Sequence, residues 1–354
     1  MSVQKTSDLR IKSITPLASP LELKAEFPIT AASSATVVES RRVIADILSG
    51  RDDRLLAVVG PCSIHDPELG LDYARRLNEL RSEIADRIFV VMRVYFEKPR
   101  TRLGWRGFIL DPRLDGSYDV QEGLRRARRL LLDINDLGLP TGSEMLDPIV
   151  PQYIDDLVSW ASIGARTTES QTHREMASGL SMPIGFKNGT DGSIETAVNA
   201  LASSLESHSF IGIDPDGRTC VLHTTGNENG HIILRGGKSG PNYHDENVED
   251  AIAMLKKAGL PQAILIDCSH SNSGRNHMRQ EKVLRSVVRQ RLEGNKLIVG
   301  FMLESNILEG TQAIPEDLSQ LRYGISITDA CISWPQTEEL LRKTRDALLA
   351  LRAA

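Results

Sequence analysis

From residue 54 onward two textures alternate along the chain: short unbroken apolar runs bounded by turn residues, and longer stretches whose apolar residues recur every third or fourth position. An unbroken apolar run fits a strand covered on both faces, while the 3.6-residue recurrence fits a helix packed on one side. The runs predict strands at 55–59, 88–94, 139–145, 162–165, 183–186, 231–234, 263–266 and 297–303. Helical patterns lie between or after them, at 68–84, 122–137, 194–205, 248–258, 281–292 and 338–351. Eight strand units in about 300 residues imply an α/β protein of the (β/α)8 TIM-barrel class rather than a doubly wound sheet.

Two segments stand outside the alternation. Residues 1–33 read as irregular, followed by a helix capped by Ser33 or Ser34, with Val37, Val38, Val43, Ile44, Ile47 and Leu48 on its apolar side before Gly50. Residues 1–50 are therefore expected to form an arm and a helix available for oligomer or regulatory contacts, with the barrel domain at 51–354. At 210–213 and 219–223, two short apolar runs flank Asp214, Pro215, Asp216 and Gly217, which is strong turn chemistry. They predict a β-hairpin, about 208–224, inserted before the sixth strand.

Composition narrows the function. The net charge of -5 and pI near 6.0 argue against a nucleic-acid partner, which needs a basic face. The densest basic run, Arg125, Arg126, Arg128 and Arg129, lies on a helical pattern and reads as a solvated face. The polar start and the absence of an apolar run near about 20 residues point away from export or membrane insertion and toward the cytoplasm. Four scattered cysteines without a CxxC pair suit reduced thiols, with Cys220, Cys268 and Cys331 assigned to packing.

A barrel of this class builds its active site at the carboxyl ends of its strands. There the chain places Cys62, then Arg93 and Lys98, Glu144, Arg166, Lys187, Arg235, His270 and Glu304. Five cations converging on one face imply an anionic ligand, with arginine suited to bidentate phosphate or carboxylate contact; a ring of ion pairs with nearby acids is the other reading. Cys62, His270, Glu304 and Asp329 form a mixed donor set suited to manganese, iron, cobalt or zinc, although Cys62 also fits simple packing and Asp329 a cap. Gly236 and Gly237 admit either a close phosphate or an ordinary strand-to-loop turn.

The segments GPCSIHDP at 60–67, MRVYFEKPRT at 92–101, IGARTTESQTHRE at 163–175, GFKNGTDG at 185–192, HIILRGGK at 231–238, DCSHSNS at 267–273 and SITDACISW at 326–334 resemble those of the microbial type I 3-deoxy-heptulosonate 7-phosphate (DAHP) synthases. The likeness runs nearly end to end. It implies condensation of phosphoenolpyruvate with erythrose 4-phosphate and water to give DAHP and phosphate, the first step of the shikimate pathway. It also implies a divalent metal held by Cys62, His270, Glu304 and Asp329, and phosphoenolpyruvate held by Arg93, Lys98, Arg166, Lys187 and Arg235, with Glu144 and Ala165 completing that set. Lys98, Lys187, His270 and Cys62 would act in catalysis, and Arg100 with Thr101 would receive the phosphate of the aldehyde. Lys187 is expected as an ammonium rather than a Schiff-base former.

The same resemblance implies feedback inhibition by an aromatic amino acid at Pro151, Gln152, Leu180, Ser181, Phe210, Gly212 and Val221, with Ile11 contributed by a neighbouring subunit of a homodimer or homotetramer. Gly212 favours tyrosine as inhibitor, because a missing side chain leaves room for the phenol hydroxyl. Two rival readings remain at this point. One is an eight-carbon sugar-acid synthase, disfavoured by Pro99 and Thr101. The other is a non-catalytic amino-acid sensor, disfavoured by the complete set of site residues.

Overall fold

The computed structural model describes residues 4–100 and 103–350. Among them, eight parallel strands close into a barrel: β1 Leu55–Gly60, β2 Ile88–Arg93, β3 Thr141–Glu144, β4 Trp160–Ile163, β5 Ile184–Lys187, β8 Gly230–Leu234, β9 Ile264–Asp267 and β10 Ile298–Glu304. They are bonded in the circular order β1-β10-β9-β8-β5-β4-β3-β2. All six residues of β1 and all seven of β10 are buried, which explains why their sequence shows no polar alternation. The hairpin β6 Ser209–Ile213 and β7 Thr219–His223 pairs antiparallel just before β8, the sixth barrel strand. No helix among the described residues is long and apolar enough to cross a membrane.

The helices of the outer ring pack their apolar stripes onto the strands. In α3 (Pro67–Ile84), Asp66 caps the first turn by accepting from the Glu68 amide at 2.9 Å, and Pro67 fills a position where no amide is needed. The barrel interior forms a separate apolar cluster that includes Leu56, Val58, Val91, Trp160, Leu265 and Met302. Val43, Ile44 and Ile47 of α2 (Ala31–Leu48) belong to the same cluster. Since the carboxyl ends of the strands carry a polar cavity, α2 closes the opposite mouth.

Several expectations need correction. Residues 1–33 are not wholly irregular, because α1 (Pro20–Glu26) is fixed by a reciprocal capping box between Ser19 and Glu22. The cap of α2 is Thr30, whose hydroxyl accepts from the Ser33 amide, while Ser33 itself is buried against α4 (Val120–Asp136), bonding Leu132 O and Asp136. Strand β4 starts two residues before the expected 162, since Trp160 and Ala161 already pair with β3. The short helices α5 (Pro151–Ile154) and α6 (Gln171–Gly179) carry too few apolar residues to register as a period. The last helix, α10 (Trp334–Ala350), begins four residues before the expected 338, and Leu351 lies outside the described residues.

The arginine run of α4 is not uniformly a solvated face. Arg128 is fully buried, donating to Phe27 O, Tyr153 O and both oxygens of Asp156. The glycine pair after β8 serves packing between loops. Gly236 has φ +74, and a Cβ there would meet the Asn272 amide at 2.8 Å; one on Gly237 would meet the Gly192 backbone at 2.2 Å.

Candidate active site

The carboxyl ends of the strands surround a cavity of about 470 Å³ lined by Lys98, Arg100, Glu144, Ala165, Arg166, Lys187, Arg235, His270, Glu304 and Asp329. Cys62 and Arg93 lie buried beneath it rather than on its wall. Thr101 lies outside the described residues. Residues from seven barrel strands and their loops thus meet in one place.

The thiol of Cys62 and the carboxylates of Glu304 and Asp329 bring ligand atoms within 4.8 Å of one another. His270 stands beside them, its Nε2 3.9 Å from Glu304 Oε1. Its Nδ1 faces Asp267 Oδ2 at 2.9 Å and Ser269 Oγ at 2.7 Å. A proton held on Nδ1 by that carboxylate leaves the Nε2 lone pair directed at the triad, the arrangement that orients a metal-ligating histidine. Sulfur, nitrogen and two carboxylates together suit a first-row divalent cation.

The loops that carry these donors are tied down. Gln280 clamps the Glu304 backbone by donating to its carbonyl at 2.9 Å and accepting from its amide at 2.8 Å. Ser63 and Thr328 share a 2.7 Å hydrogen bond that holds the loop of Asp329 against that of Cys62. His270 itself has φ +54, a left-handed conformation fixed by the turn in which the Arg275 amide donates to its carbonyl at 2.7 Å.

The charges are mutually compensated. Burial, followed by the Glu304 carboxylate, pushes the Cys62 thiol up to about 11, against the pull of Lys98. Lys98 Nζ donates to Cys62 Sγ at 3.0 Å; burial opposes its charge, yet Cys62 and Glu304 outweigh burial and raise it. Burial likewise works against the Lys187 ammonium, and Asp267 at 2.9 Å reverses the direction. Asp267 is held well below the usual carboxylate range because His270 and Lys187 overcome its burial. Glu144 keeps one buried oxygen, Oε1, with no hydrogen-bond partner in the protein.

Asp267, Gln280 and Ser269 were missed in the sequence, although Asp267 closes an apolar strand inside the DCSHSNS segment. A charged residue ending a buried run was the available signal.

A second cavity of about 380 Å³ lies between α5, α6 and the hairpin. Pro151, Gln152, Leu180, Ser181 and Phe210 line it, joined by Asp155, Ser178, Leu222 and Thr224, which the sequence did not suggest. Gly212, Val221 and Ile11 are not on its wall: Val221 and Ile11 are exposed, and Gly212 sits behind Leu222, where a Cβ would approach Leu222 Cδ1 to 2.5 Å.

The family model of the DAHP synthetase I family matches residues 26–342. The chain is 52% identical to the Tyr-sensitive phospho-2-dehydro-3-deoxyheptonate aldolase of Salmonella typhimurium LT2, covering 100% of both. It is 51% identical to the Phe-sensitive enzyme of Escherichia coli K12, covering 98% of this chain and 99% of that one. The solved structure of the phospho-2-dehydro-3-deoxyheptonate aldolase from Francisella tularensis SCHU S4 superposes with a TM-score of 0.93 at 47% identity, over 95% of this chain and 98% of that chain. With its fold, its strand-end residues and its full-length relatives in agreement, the chain belongs to the DAHP synthetase I family.

Proposed function

We propose that this enzyme joins phosphoenolpyruvate to erythrose 4-phosphate in the cavity at the strand ends, and that tyrosine inhibits it from the second cavity. The observation that carries the reading is the convergence of Lys98, Arg100, Arg166, Lys187 and Arg235 on one cavity beside the Cys62, Glu304 and Asp329 triad. Two phosphorylated substrates need such positive charge, and the aldehyde's carbonyl oxygen needs a Lewis acid or proton donor to accept its developing charge. A divalent cation held by Cys62, His270, Glu304 and Asp329 would polarise the aldehyde carbonyl as a Lewis acid.

The chain's own residues account for the rest. Lys98, Arg166, Lys187 and Arg235 hold the phosphate and carboxylate of phosphoenolpyruvate, with Arg93 below them, while Arg100 takes the aldehyde's phosphate. This fixes C3 of phosphoenolpyruvate against the aldehyde carbon, so that the carbon–carbon bond forms as the enol π electrons are drawn from C2. Lys98, an ammonium beside the triad, supplies a proton to the former aldehyde oxygen. Glu144 Oε1, lacking a protein partner, holds the water that adds to C2 and takes its proton, and the resulting C2 hydroxyl gives its proton to the departing inorganic phosphate as the carbon–oxygen bond breaks and the ketone forms.

Phosphate release from chelator-stripped protein tests this reading, with each substrate supplied alone and together, before and after Mn²⁺. Release that needs both substrates and the metal is expected. No release with any divalent cation, from folded protein, overturns it.

The arm and hairpin support a homodimer or homotetramer. Leu9, Ile11 and Ile14 on the arm and Ile211 and Val221 on the hairpin are all more than half exposed, with Ile211 and Val221 directly paired across the two strands. Apolar area of this kind is suited to burial by a second copy. Light scattering that finds a monomer at micromolar concentration removes that part of the proposal.

A further inference from the structure

Tyr95 leaves β2 two residues after Arg93 and is 1% exposed. Two cations rest on its ring: Arg93 Cζ lies 4.0 Å from the ring centroid and Lys98 Nζ 5.7 Å from it. The electron-rich face of an aromatic ring attracts cations, more strongly where water is excluded. The ring is itself anchored at its far end, where its hydroxyl shares a 2.9 Å hydrogen bond with Ser162 Oγ on β4. Its carbonyl accepts from the Ile64 amide at 2.9 Å, which ties the same residue to the loop of Cys62.

Beside this platform the two cations have few other contacts. Arg93 has Glu304 Oε1 at 3.2 Å and Pro61 O at 3.4 Å, and Lys98 has the Cys62 sulfur. One guanidinium nitrogen of Arg93, NH1, is buried with no acceptor in the protein. A buried charged donor left unsatisfied is unfavourable, so its position must be imposed by the contacts that remain, and the stacked ring is the broadest of them.

We propose that Tyr95 is a positioning residue for substrate binding: its ring face sets the attitude of Arg93 and Lys98 toward phosphoenolpyruvate. This rests on reading the strand-end cavity as the phosphoenolpyruvate site. Tyr95 reaches the substrate only through the two cations, and Ser162 keeps the ring from turning.

The test is the affinity for phosphoenolpyruvate, measured by calorimetry with Mn²⁺ present and erythrose 4-phosphate withheld, together with KM and kcat. Tyr95→Leu is expected to weaken phosphoenolpyruvate binding by about tenfold, as a lost desolvated cation–ring contact implies, and to raise its KM more than that of erythrose 4-phosphate. Tyr95→Phe keeps the face and is expected to retain most of the affinity. Because the leucine variant risks misfolding, fluorinated phenylalanines incorporated at position 95 provide a second series of nearly constant size. Each added fluorine withdraws charge from the ring face, so affinity should fall stepwise. A flat series in folded protein overturns the proposal, as does equal weakening by Phe and Leu, which would assign the effect to the hydroxyl. Wild-type protein that binds no phosphoenolpyruvate overturns the site reading instead, so the two failures are distinguishable.

Discussion

The Asp267 carboxylate lies 2.9 Å from Lys187 Nζ in an ion pair buried on both sides. The same oxygen faces His270 Nδ1 at 2.9 Å, so one carboxylate neutralises a cation in the cavity and orients a donor of the proposed metal centre. Asp267→Asn keeps the shape but leaves Lys187 without its counter-charge and weakens the acceptor for His270. Metal affinity should fall about 10–100-fold, the usual effect of removing a histidine's orienting partner, and kcat/KM at least as far. Zinc titration of the stripped protein against a chelating dye measures the first; unchanged affinity would separate Asp267 from the metal centre.

Lys187 is held as an ammonium by this pair, with its proton affinity raised despite burial. A Schiff base needs the neutral amine. Borohydride treatment in the presence of both substrates should therefore leave the protein's mass unchanged in an intact-mass spectrum. A trapped adduct at Lys187 would overturn the Schiff-base-free route.

Arg128 joins α4 to Asp156, just after α5, through two bonds at 2.7 and 2.9 Å, and donates to the backbone carbonyls of Phe27 at the end of α1 and Tyr153 in α5. Arg128→Ala removes a fully buried guanidinium and its bonds to two carbonyls and to Asp156, which is partly exposed and keeps Lys24 at 3.5 Å, and should destabilise the fold by about 1.5–3 kcal/mol. Arg129→Ala, one residue on, removes an exposed pair with Asp133 and a 6.0 Å approach to the Phe27 ring and should cost about 1 kcal/mol or less. Urea unfolding of the two variants checks the contrast.

That contrast also shows where the sequence was readable. Unbroken apolar runs reported the barrel strands because both faces of a parallel sheet are covered, and near the end of each run stands a residue that lines or underlies the cavity. Arg128 was not legible as buried, since a helical period locates the stripe but not the partner, and the partners Phe27, Tyr153 and Asp156 are distant in sequence or on another element. The proposed metal set was a candidate from donor types at strand ends, open to packing and capping readings until the resemblance joined it, because Cys62, His270, Glu304 and Asp329 have no common spacing. Asp267 and Gln280 act by holding neighbours in place, and such roles leave no periodicity. In the second cavity, strand alternation turns Val221 to the face opposite Leu222, and Gly212, on the face of Phe210 and Leu222, has no side chain to reach the wall.

Gly212 therefore acts on the second cavity through Leu222. A Cβ at position 212 would come within 2.5 Å of Leu222 Cδ1, so Gly212→Ser must displace a lining side chain. The cavity should contract where a phenol hydroxyl needs space. Tyrosine inhibition is expected to weaken at least several-fold relative to phenylalanine, read as the ratio of the two half-inhibitory concentrations. A ratio equal to that of the unmodified enzyme would remove Gly212 from inhibitor choice.

Glu97 is a buried carboxyl that accepts from the Leu146 and Asp147 amides. Burial and the nearby Asp147 and Glu144 charges outweigh those bonds and push it up from 4.5 to about 8. The folded protein thus holds a proton there that the unfolded chain releases above pH 4.5. Its contribution to stability is fully present below that pH and is lost as pH rises through 8, a change of about 5 kcal/mol. Glu97→Gln keeps an acceptor for both amides and cannot ionise, so it removes this dependence. Melting temperatures should fall more steeply between pH 5 and 8 for the unmodified enzyme than for the Gln variant, with the gap between the two curves growing up to about pH 8 and constant above it. Parallel curves would mean that Glu97 ionises alike in the folded and unfolded chain, against the burial and like charge around it.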